Sequence, residues 1–318
     1  MAGVVPRCAT PAAPNRALAS SYNRGQARLG LNSTLKRGPI LQRPTFTARL
    51  LQKARISESA QCYHLEFQID ELPDFSFAPG QFISTVAVDP RGKTQTRAYS
   101  IASAASENRF DLCVNRVEGG FFSNHLCDLP DGGAVQVHGP HGNFTLRSPL
   151  TDSVFVATGT GIAPMRAFTQ WLFPEHGEHA GEDRSEGRQI WLVYGTRYES
   201  ELYYQDYFDR IAAERENFHY VTTLSRAGEE WSGRRGYVQE YLGNIVETRS
   251  RASVTSSAAV AGAVAETAVA VEEIVAAQTP IFDIHTYICG LNNMVSAVRE
   301  RLTGYGWHKK QIIFERYD

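Results

Sequence analysis

The chain has 318 residues, of which 42% are hydrophobic and 21% charged, with five cysteines and a formal net charge of −2. This size and composition are typical of a globular protein with two domains. No apolar run reaches the roughly 18 to 20 residues of a membrane span, and the cysteines lack close pairing, which argues against an integral membrane protein, a disulfide framework, a zinc site and an iron–sulfur cluster.

Residues 1–44 differ from the rest of the chain in charge. Ten Arg or Lys residues and no Asp or Glu precede Glu58, so the remainder of the chain is acidic. The segment has no hydrophobic periodicity, and we expect a disordered basic leader. An organelle transit peptide and an extension from a start codon assigned too far upstream stay open. We expect a cytoplasmic protein, or an organellar one if the leader is a transit peptide.

Residues 45–148 contain short apolar segments separated by Gly- and Pro-containing turns. The pattern predicts one helix near 122–129 and six strands, at 46–56, 62–69, 81–88, 97–101, 110–117 and 134–138. Six short strands with little room for helices indicate a closed antiparallel β-barrel.

Residues 149–318 alternate between predicted strands and helices. The strands are expected at 154–157, 189–194, 219–223, 286–289 and 311–314, and the helices at 164–174, 201–215, 238–246 and 292–303. Alternation predicts a Rossmann-like parallel sheet with helices on both faces, and such sheets bind ligands at the carboxyl ends of their strands. The fold class is therefore a two-domain β plus α/β protein.

An Ala-, Val-, Ser-, Thr- and Glu-rich stretch at 247–280 interrupts the second domain. We interpret it as a low-complexity surface insertion, with a partner-binding helix as the alternative.

A glycine loop follows the first strand of the second domain. Gly159, Thr160 and Gly161 lie between the apolar run ending at Ala157 and a helix predicted to begin at Pro164. Glycines allow backbone N–H groups to approach an anion, and a helix N-terminus adds unsatisfied donors. The loop therefore predicts a pyrophosphate site, although an ordinary strand-to-helix turn has the same pattern.

Two further patterns in the barrel domain suggest a dinucleotide. Arg97, Tyr99 and Ser100 combine a cation, an aromatic ring and a hydroxyl, which suit the phosphate, ring and reactive nitrogen of a flavin. Gly120 and Ser123 belong to a second glycine turn that enters a helix and could hold another pyrophosphate. Each pattern alone is common on ordinary strands and turns.

Several motifs occur in order along residues 45–318: Arg97-x-Tyr99-Ser100, Cys113-Val114-x-Arg116, Ser123-Asn124-x-Leu126, Gly139-Pro140-x-Gly142, Gly159-Thr160-Gly161-Ile162-Ala163-Pro164, Ser225-Arg226, Tyr237-Val238-Gln239, Cys289-Gly290-Leu291 and Glu315-x-Tyr317. The ordered set closely resembles the ferredoxin–NADP reductase family, especially its plant-type branch. The resemblance implies FAD and NADP(H) as cofactors.

The resemblance also assigns binding roles. The flavin motif is matched by Arg97, Tyr99 and Ser100, and positions around the FAD adenosine and pyrophosphate are matched by Arg116, Gly120 and Ser123. The NADP pyrophosphate loop is matched by Gly159, Thr160 and Gly161. The pocket for the 2′-phosphate is matched by Ser225, Arg226, Arg235 and Tyr237. Two guanidinium groups, a hydroxyl and an aromatic face suit a dianionic phosphate ester. A solvated charge pair is the alternative for the two arginines.

Three positions near the end of the chain match the family's reaction centre. Cys289 resembles the cysteine beside the nicotinamide C4, although a lone buried cysteine is otherwise a small apolar residue. Glu315 and Tyr317 match the family's carboxylate and carboxy-terminal aromatic residue, and Ser100 with Glu315 would handle the proton at flavin N5. The sequence departs from the family at Asp318, an additional carboxylate that could change how the ring of Tyr317 stacks.

The resemblance implies an FAD-dependent oxidoreductase that passes hydride between NADPH and flavin N5 and exchanges single electrons with a separate ferredoxin or flavodoxin. An acidic carrier would need a local positive patch, for which the candidates are Arg91, Lys93, Arg299, Arg301, Lys309 and Lys310. We expect a monomer that binds neither nucleic acid nor metal.

Three other functions stay open. The chain could be the reductase component of an oxygenase or cytochrome system, which Ser225-Arg226 and Glu315-x-Tyr317 argue against. It could be a flavin reductase that releases free reduced flavin. The third is a non-enzymatic tethering or sensor module that keeps only the fold, although Ser100, Cys289 and Glu315 are all present.

Overall fold

The computed structural model describes residues 44–247 and 282–317, which belong to one compact unit. The predicted leader up to residue 43, the predicted insertion from residue 248 onward and Asp318 lie outside the described residues.

The first sheet contains six antiparallel strands, as the sequence predicts. These are β1 (Phe46–Ser57), β2 (Cys62–Ile69), β3 (Phe82–Val88), β4 (Thr94–Ser100), β5 (Arg109–Asn115) and β6 (Ala134–His141), in the order β4-β3-β6-β1-β2-β5. A bridge between Ile101 and Leu112, just after β4, joins the two edge strands. The predicted barrel is therefore confirmed, and helix α1 (Phe121–Cys127) follows β5.

The interior of this barrel follows the two-residue period of its strands. Leu65, Phe67 and Ile69 on β2 are fully buried, while the residues between them are only partly buried. Phe67 stacks on Phe110 of β5, with ring centroids 5.5 Å apart. Alternate side chains of a strand point to opposite faces, so this face of β2 forms part of the barrel core.

The second sheet is parallel, also as predicted. Its strands are β7 (Asp152–Thr158), β8 (Ile190–Thr196), β9 (Phe218–Leu224), β10 (Arg234–Arg235), β11 (Ile284–Leu291) and β12 (Ile312–Tyr317), in the order β10-β9-β8-β7-β11-β12. The described helices are α2 (Ile162–Leu172), α3 (Gln205–Glu214), α4 (Leu242–Glu247) and α5 (Asn292–Gly304). The two-residue strand β10 was not predicted, because it is too short for a period to show.

The two sheets share a continuous apolar core. Cys62, Ala102 and Cys113 of the barrel region pack in the same buried cluster as Phe168 of α2 and Tyr203 before α3. This contact places the start of α2, and the glycine loop that precedes it, beside the barrel edge where β4 and β5 meet. The predicted domain boundary at residue 148 falls in the connection between β6 and β7.

Candidate functional site

The structure brings Ser100 and Glu315 together from different sheets. Ser100 is the last residue of β4, and its Oγ donates a hydrogen bond of 3.1 Å to Oε2 of Glu315 on β12. Burial raises the pKa of Glu315, and the hydrogen bond from Ser100 opposes that shift. A hydroxyl and a carboxyl group with a raised pKa therefore form a pair that can hold a proton at the junction of the two sheets.

Cys289 is adjacent to this pair. It lies on β11 opposite Glu315 in the parallel register and is fully buried. Burial, followed by the nearby carboxylate of Glu315, raises the pKa of the thiol well above its ordinary value. Cys289 is therefore a neutral thiol, not a thiolate nucleophile.

The glycine loop approaches the same strand closely. A Cβ at Gly161 would lie 2.1 Å from the carbonyl oxygen of Cys289, so only glycine fits at this position. Gly159 has a φ of +53°, in the left-handed region. Gly159–Gly161 forms one 3₁₀ turn that leads into α2 at Ile162, two residues before the predicted helix start at Pro164.

Tyr317, the last residue that the structure describes, is hydrogen-bonded to this loop. Its hydroxyl donates to the carbonyl oxygen of Thr158 at 2.6 Å and accepts from the N–H of Gly161 at 2.8 Å. Burial raises the pKa of Tyr317, so the phenol stays protonated. The N–H of Gly161, one of the loop donors predicted for a pyrophosphate, is therefore bonded to a side chain of the protein itself. We call Ser100, Cys289, Glu315 and Tyr317 the inner site.

The other flavin-motif residues follow β4. Arg97 and Tyr99 lie two residues apart on one face of the strand and pair with Thr85 and Ile83 of β3, respectively. Tyr99 packs against the barrel core, and burial raises its pKa to about 12. The side chain of Arg97 is exposed, and its carbonyl oxygen accepts a hydrogen bond from Thr85.

The second glycine turn, which contains Gly120, is hydrogen-bonded to α1. Ser123 Oγ accepts from the N–H of Val117 at 3.0 Å, and a Cβ at Gly120 would lie only 2.8 Å from that oxygen. Arg116 donates to Asn124 and forms an ion pair with Asp128. These contacts fix the turn against the helix.

A cavity of about 770 Å³ opens between this turn and the loop joining β3 to β4. It is lined by Gly119, Gly120, Phe121, Asn124 and His125 of the α1 side, and by Asp89, Pro90, Arg91 and Gln95 of the other. The volume lies within the range of small-molecule sites. Gly120 of the sequence analysis therefore lines a space large enough for part of a dinucleotide.

The four residues assigned to the 2′-phosphate lie in or directly after the neighbouring strands β9 and β10, where Arg235 pairs with Leu224. We call Ser225, Arg226, Arg235 and Tyr237 the outer pocket. Ser225 Oγ donates to the carbonyl oxygen of Thr196 at 3.3 Å. Arg226 is exposed, and Tyr237 is 61% exposed. The guanidinium of Arg235 donates to four carbonyl oxygens, those of Ala227, Gly228, Glu229 and Trp231. Arg235 therefore shapes the loop beside the pocket.

Sequence reasoning missed Glu240 beside the outer pocket. Its carboxylate occupies the position where a side chain at Gly236 would begin, and Gly236 has a φ of +110°. Nothing in the local spacing of residues predicts this approach, because it depends on the turn made at Gly236.

The six predicted docking cations fall into two groups. Arg91 and Lys93 lie at the turn between β3 and β4, whereas the other four lie in α5 and in the 3₁₀ turn Lys309–Gln311 before β12. Arg299 lies over the ring of Phe314 at 4.1 Å, and Arg316, not predicted, approaches the same ring at 4.9 Å. Phe314 is 38% exposed, so one apolar ring with two cations faces solvent here.

Within residues 44–247 and 282–317, no helix is both long enough and apolar enough to cross a membrane. Within the same residues, no group of three or more His, Cys, Asp or Glu side chains is arranged to hold a metal ion.

Two parts of the chain match known domain families. Residues 47–146 match the oxidoreductase FAD-binding domain family, and residues 155–300 match the oxidoreductase NAD-binding domain family. The chain is 35% identical to ferredoxin–NADP reductase B of Sorangium cellulosum over 88% of its own length and the whole of that protein. It is 28% identical to the toluate 1,2-dioxygenase electron transfer component of Pseudomonas putida, over 63% of this chain and 56% of that one.

Among solved structures, the ferredoxin–NADP⁺ reductase from Plasmodium falciparum with 2′P-AMP superposes with a TM-score of 0.63. The match has 18% sequence identity and covers 87% of this chain and 99% of that one. At this identity the likeness shows the fold alone.

The residues present fit a flavin and a pyridine dinucleotide. Thr158 Oγ1, next to the glycine loop, is buried without a hydrogen-bond partner, as a ligand-facing hydroxyl would be in the absence of its ligand. Gly161 allows the loop to lie directly on β11, and the cavity beside α1 has the volume for a nucleoside.

Proposed function

Because the chain belongs to the ferredoxin–NADP reductase family, we propose that it is a ferredoxin–NADP⁺ reductase that uses FAD and NADP(H). Its second substrate is a separate one-electron carrier protein, a ferredoxin or a flavodoxin. The observation that carries the proposal is the hydrogen bond between Ser100 and Glu315, which joins the sheet that carries the flavin motif to the sheet that carries the nucleotide loop.

In this proposal bound FAD supplies the atom that exchanges hydride with NADPH and the capacity to exchange electrons singly. The chain's own residues bind and orient the reactants. Arg97 binds flavin phosphate and Tyr99 supports the ring. Ser100 and Glu315 hold a proton at Ser100 Oγ, and the raised pKa of Glu315 keeps a protonated carboxyl available at higher pH than usual.

Cys289 and Tyr317 contribute by position. The neutral thiol of Cys289 adds a small apolar surface beside Glu315 and excludes water from it. Tyr317 holds the turn of Thr160 and Gly161 through Thr158 and the Gly161 N–H, so the pyrophosphate loop is shaped before the nucleotide binds. The other N–H groups of the loop would hold the pyrophosphate of the dinucleotide.

The adenosine ends of the two nucleotides bind at separate places. For FAD, Arg116, Gly120 and Ser123 shape the turn beside the cavity at α1. For NADP(H), Arg226, Ser225 and Tyr237 would hold the 2′-phosphate and adenine, while Arg235 shapes the loop through its bonds to backbone carbonyls. Guanidinium recognition of a phosphate dianion favours NADPH over NADH.

A second candidate is the reductase component of an oxygenase, which the Pseudomonas putida relative supports. Such a protein would share the inner site and differ in its acceptor. We propose a monomer in the cytoplasm, with the barrel domain at 45–148 and the nucleotide domain at 149–318.

The test begins with the purified full-length chain, whose visible spectrum is recorded before and after anaerobic addition of NADPH or NADH. We expect a yellow protein that is bleached by micromolar NADPH and needs far more NADH. Reduced protein is then mixed with a ferredoxin, a flavodoxin or cytochrome c. A colourless protein contradicts the enzyme proposal, and equal use of NADH, or transfer to cytochrome c alone, favours the oxygenase or cytochrome reductases.

A further inference from the structure

A largely buried ion pair joins helix α2 of the second domain to strand β5 of the barrel. Arg166 on α2 donates from Nη1 to Oδ2 of Asp111 on β5 at 2.9 Å. Their side chains are only 15% and 17% exposed. No pattern in the sequence pointed to either residue, because they lie 55 positions apart.

The same guanidinium reaches the segment that carries the flavin motif. Arg166 Nη1 also donates to the carbonyl oxygen of Ala102 at 2.7 Å, and Ala102 lies two residues after Ser100. One turn further along α2, the side chain of Gln170 accepts from the N–H of Ala104 at 3.0 Å. Residues four apart share one helix face, so this face of α2 is bonded twice to the chain that leaves β4.

Helix α2 also carries the nucleotide loop. It begins at Ile162, directly after the 3₁₀ turn of Gly159–Gly161. A helix is stiff over one turn, so a shift at Arg166 moves Gly161 by a similar distance. The bonds at Arg166 therefore fix the nucleotide loop relative to Ser100.

The surroundings hold the guanidinium in one orientation. It lies over the rings of Tyr204 and Tyr207, at 4.9 and 5.7 Å. His64 Nε2 lies 3.7 Å from the same carboxylate oxygen, Oδ2 of Asp111, and 3.4 Å from Glu66. A buried ion pair is weak evidence for stability, because its desolvation offsets its attraction. Here a single nitrogen, Nη1 of Arg166, donates to both Ala102 and Asp111, so that end of the guanidinium links the two acceptors.

We propose that Arg166 is a positioning residue for hydride transfer, which sets the alignment of the nucleotide loop with Ser100 without touching either reactant. The inference rests on the proposed function, since it requires that hydride pass between NADPH and FAD. Rates of such transfers depend steeply on geometry, and a displacement of about 1 Å can cost about 100-fold.

The experiment compares FAD-loaded wild type with Arg166→Met and Arg166→Lys. We expect Arg166→Met to reduce flavin about 10- to 100-fold more slowly in stopped flow at saturating NADPH. The dissociation constant for NADP⁺, from the perturbed flavin spectrum, should change less than about threefold, because the binding residues stay in place. Lysine should restore part of the rate, since it keeps the charge and can bond one acceptor.

Amide hydrogen exchange gives a readout besides activity. In nucleotide-free protein, Arg166→Met should speed exchange at Ala104, whose N–H depends on Gln170, and leave β1 unchanged. The matched control is Arg49→Met, which removes an ion pair with Asp70 on the barrel domain and should leave the rate unchanged.

The outcomes separate the two proposals. A yellow wild type that NADPH does not reduce contradicts the proposed function. If the wild type is reduced but Arg166→Met is equally fast, or loses rate only in proportion to NADP⁺ affinity, the positioning role is wrong. Should Arg166→Met not fold, Asp111→Asn keeps the shape of the contact and carries the same expectation of slower reduction with unchanged affinity.

Discussion

The inner site and the outer pocket are organised in opposite ways. In the inner site, Ser100 bonds Glu315 and Tyr317 bonds the Gly161 N–H, so polar groups of distant strands satisfy one another inside the protein. In the outer pocket, the side chains of Arg226 and Tyr237 are exposed, and the hydrogen bonds there, such as that from Arg235 to Gly228, go to backbone carbonyls.

This difference indicates that the inner site determines the reaction rate and the outer pocket determines nucleotide affinity. A site whose groups already bond one another keeps one geometry and can raise the rate of a reaction through that geometry. A pocket of exposed side chains gains its order from the ligand and determines affinity and selectivity. Changes in the inner site should therefore affect rate and stability, whereas changes in the outer pocket should affect binding of NADPH alone.

The largest effect is expected for Ser100→Ala. It removes the hydroxyl that bonds Glu315 and leaves the binding residues intact. We expect flavin reduction by NADPH to slow about 100- to 1,000-fold, the usual contribution of a positioned proton donor, with little change in NADP⁺ affinity. Stopped-flow absorbance under anaerobic conditions measures the rate.

Ser59→Ala serves as its control, because Ser59 bonds Ser200 at the protein surface, away from the inner site. A Ser100→Ala variant that is slowed less than about threefold would show that the inner site does not depend on this hydroxyl.

Arg226→Gln should weaken NADPH binding at the outer pocket without changing the inner site. Loss of one charge-assisted contact to the phosphate should raise the KM for NADPH about 10- to 100-fold and leave the KM for NADH unchanged. Arg234→Gln is the matched control, since it removes a neighbouring cation that lies over Tyr241. Equal losses for the two nucleotides would contradict recognition of the 2′-phosphate at Arg226.

Much of the fold is predictable from local patterns. The period of two in Leu65, Phe67 and Ile69 predicts a half-buried strand, and the apolar run at 154–157 predicts a strand buried on both faces. The bridge that closes the barrel from Ile101 to Leu112 and the short strand β10 are set by tertiary contacts, which no local window contains.

The candidate site is less predictable than the fold. The motifs select Ser100 and Glu315 separately, but their bond joins residues 215 positions apart. The motif predicts that Gly161 lets the backbone approach an anion. The structure shows that the missing side chain also lets the loop pack against the backbone of Cys289. Arg166 lies two residues after the glycine-loop motif, but its partner Asp111 lies 55 positions earlier, on a strand of the barrel, so no local pattern shows the pair.

Tyr317→Phe tests whether the inner site is held by its own hydrogen bonds. The change removes the hydroxyl that bonds Thr158 and Gly161 and retains the ring. We expect a loss of about 1 to 2 kcal/mol in the free energy of unfolding, because a buried carbonyl and a buried N–H lose their partner. Urea unfolding measures it, and Tyr198→Phe, at a tyrosine 44% exposed, should change the free energy by much less.

The smallest effect expected is a pH dependence from Glu315. Its pKa is raised in the folded protein, mainly by burial, so the folded state holds this proton more tightly than the unfolded state, where the pKa is about 4.5. The stability that this proton contributes is complete at low pH and is lost as the pH rises through the folded pKa. Glu315→Gln cannot ionise, so its unfolding free energy relative to wild type should increase between pH 4.5 and neutral pH. The total increase should be smaller than the loss in Tyr317→Phe, because the hydrogen bond from Ser100 offsets part of the shift that burial causes. Glu300→Gln, at an exposed position on α5, corrects for removal of a surface charge. A difference that stays flat across this range, or increases toward acid, would mean that Glu315 is no more buried than the residues of the outer pocket, and the contrast between the two regions would not hold.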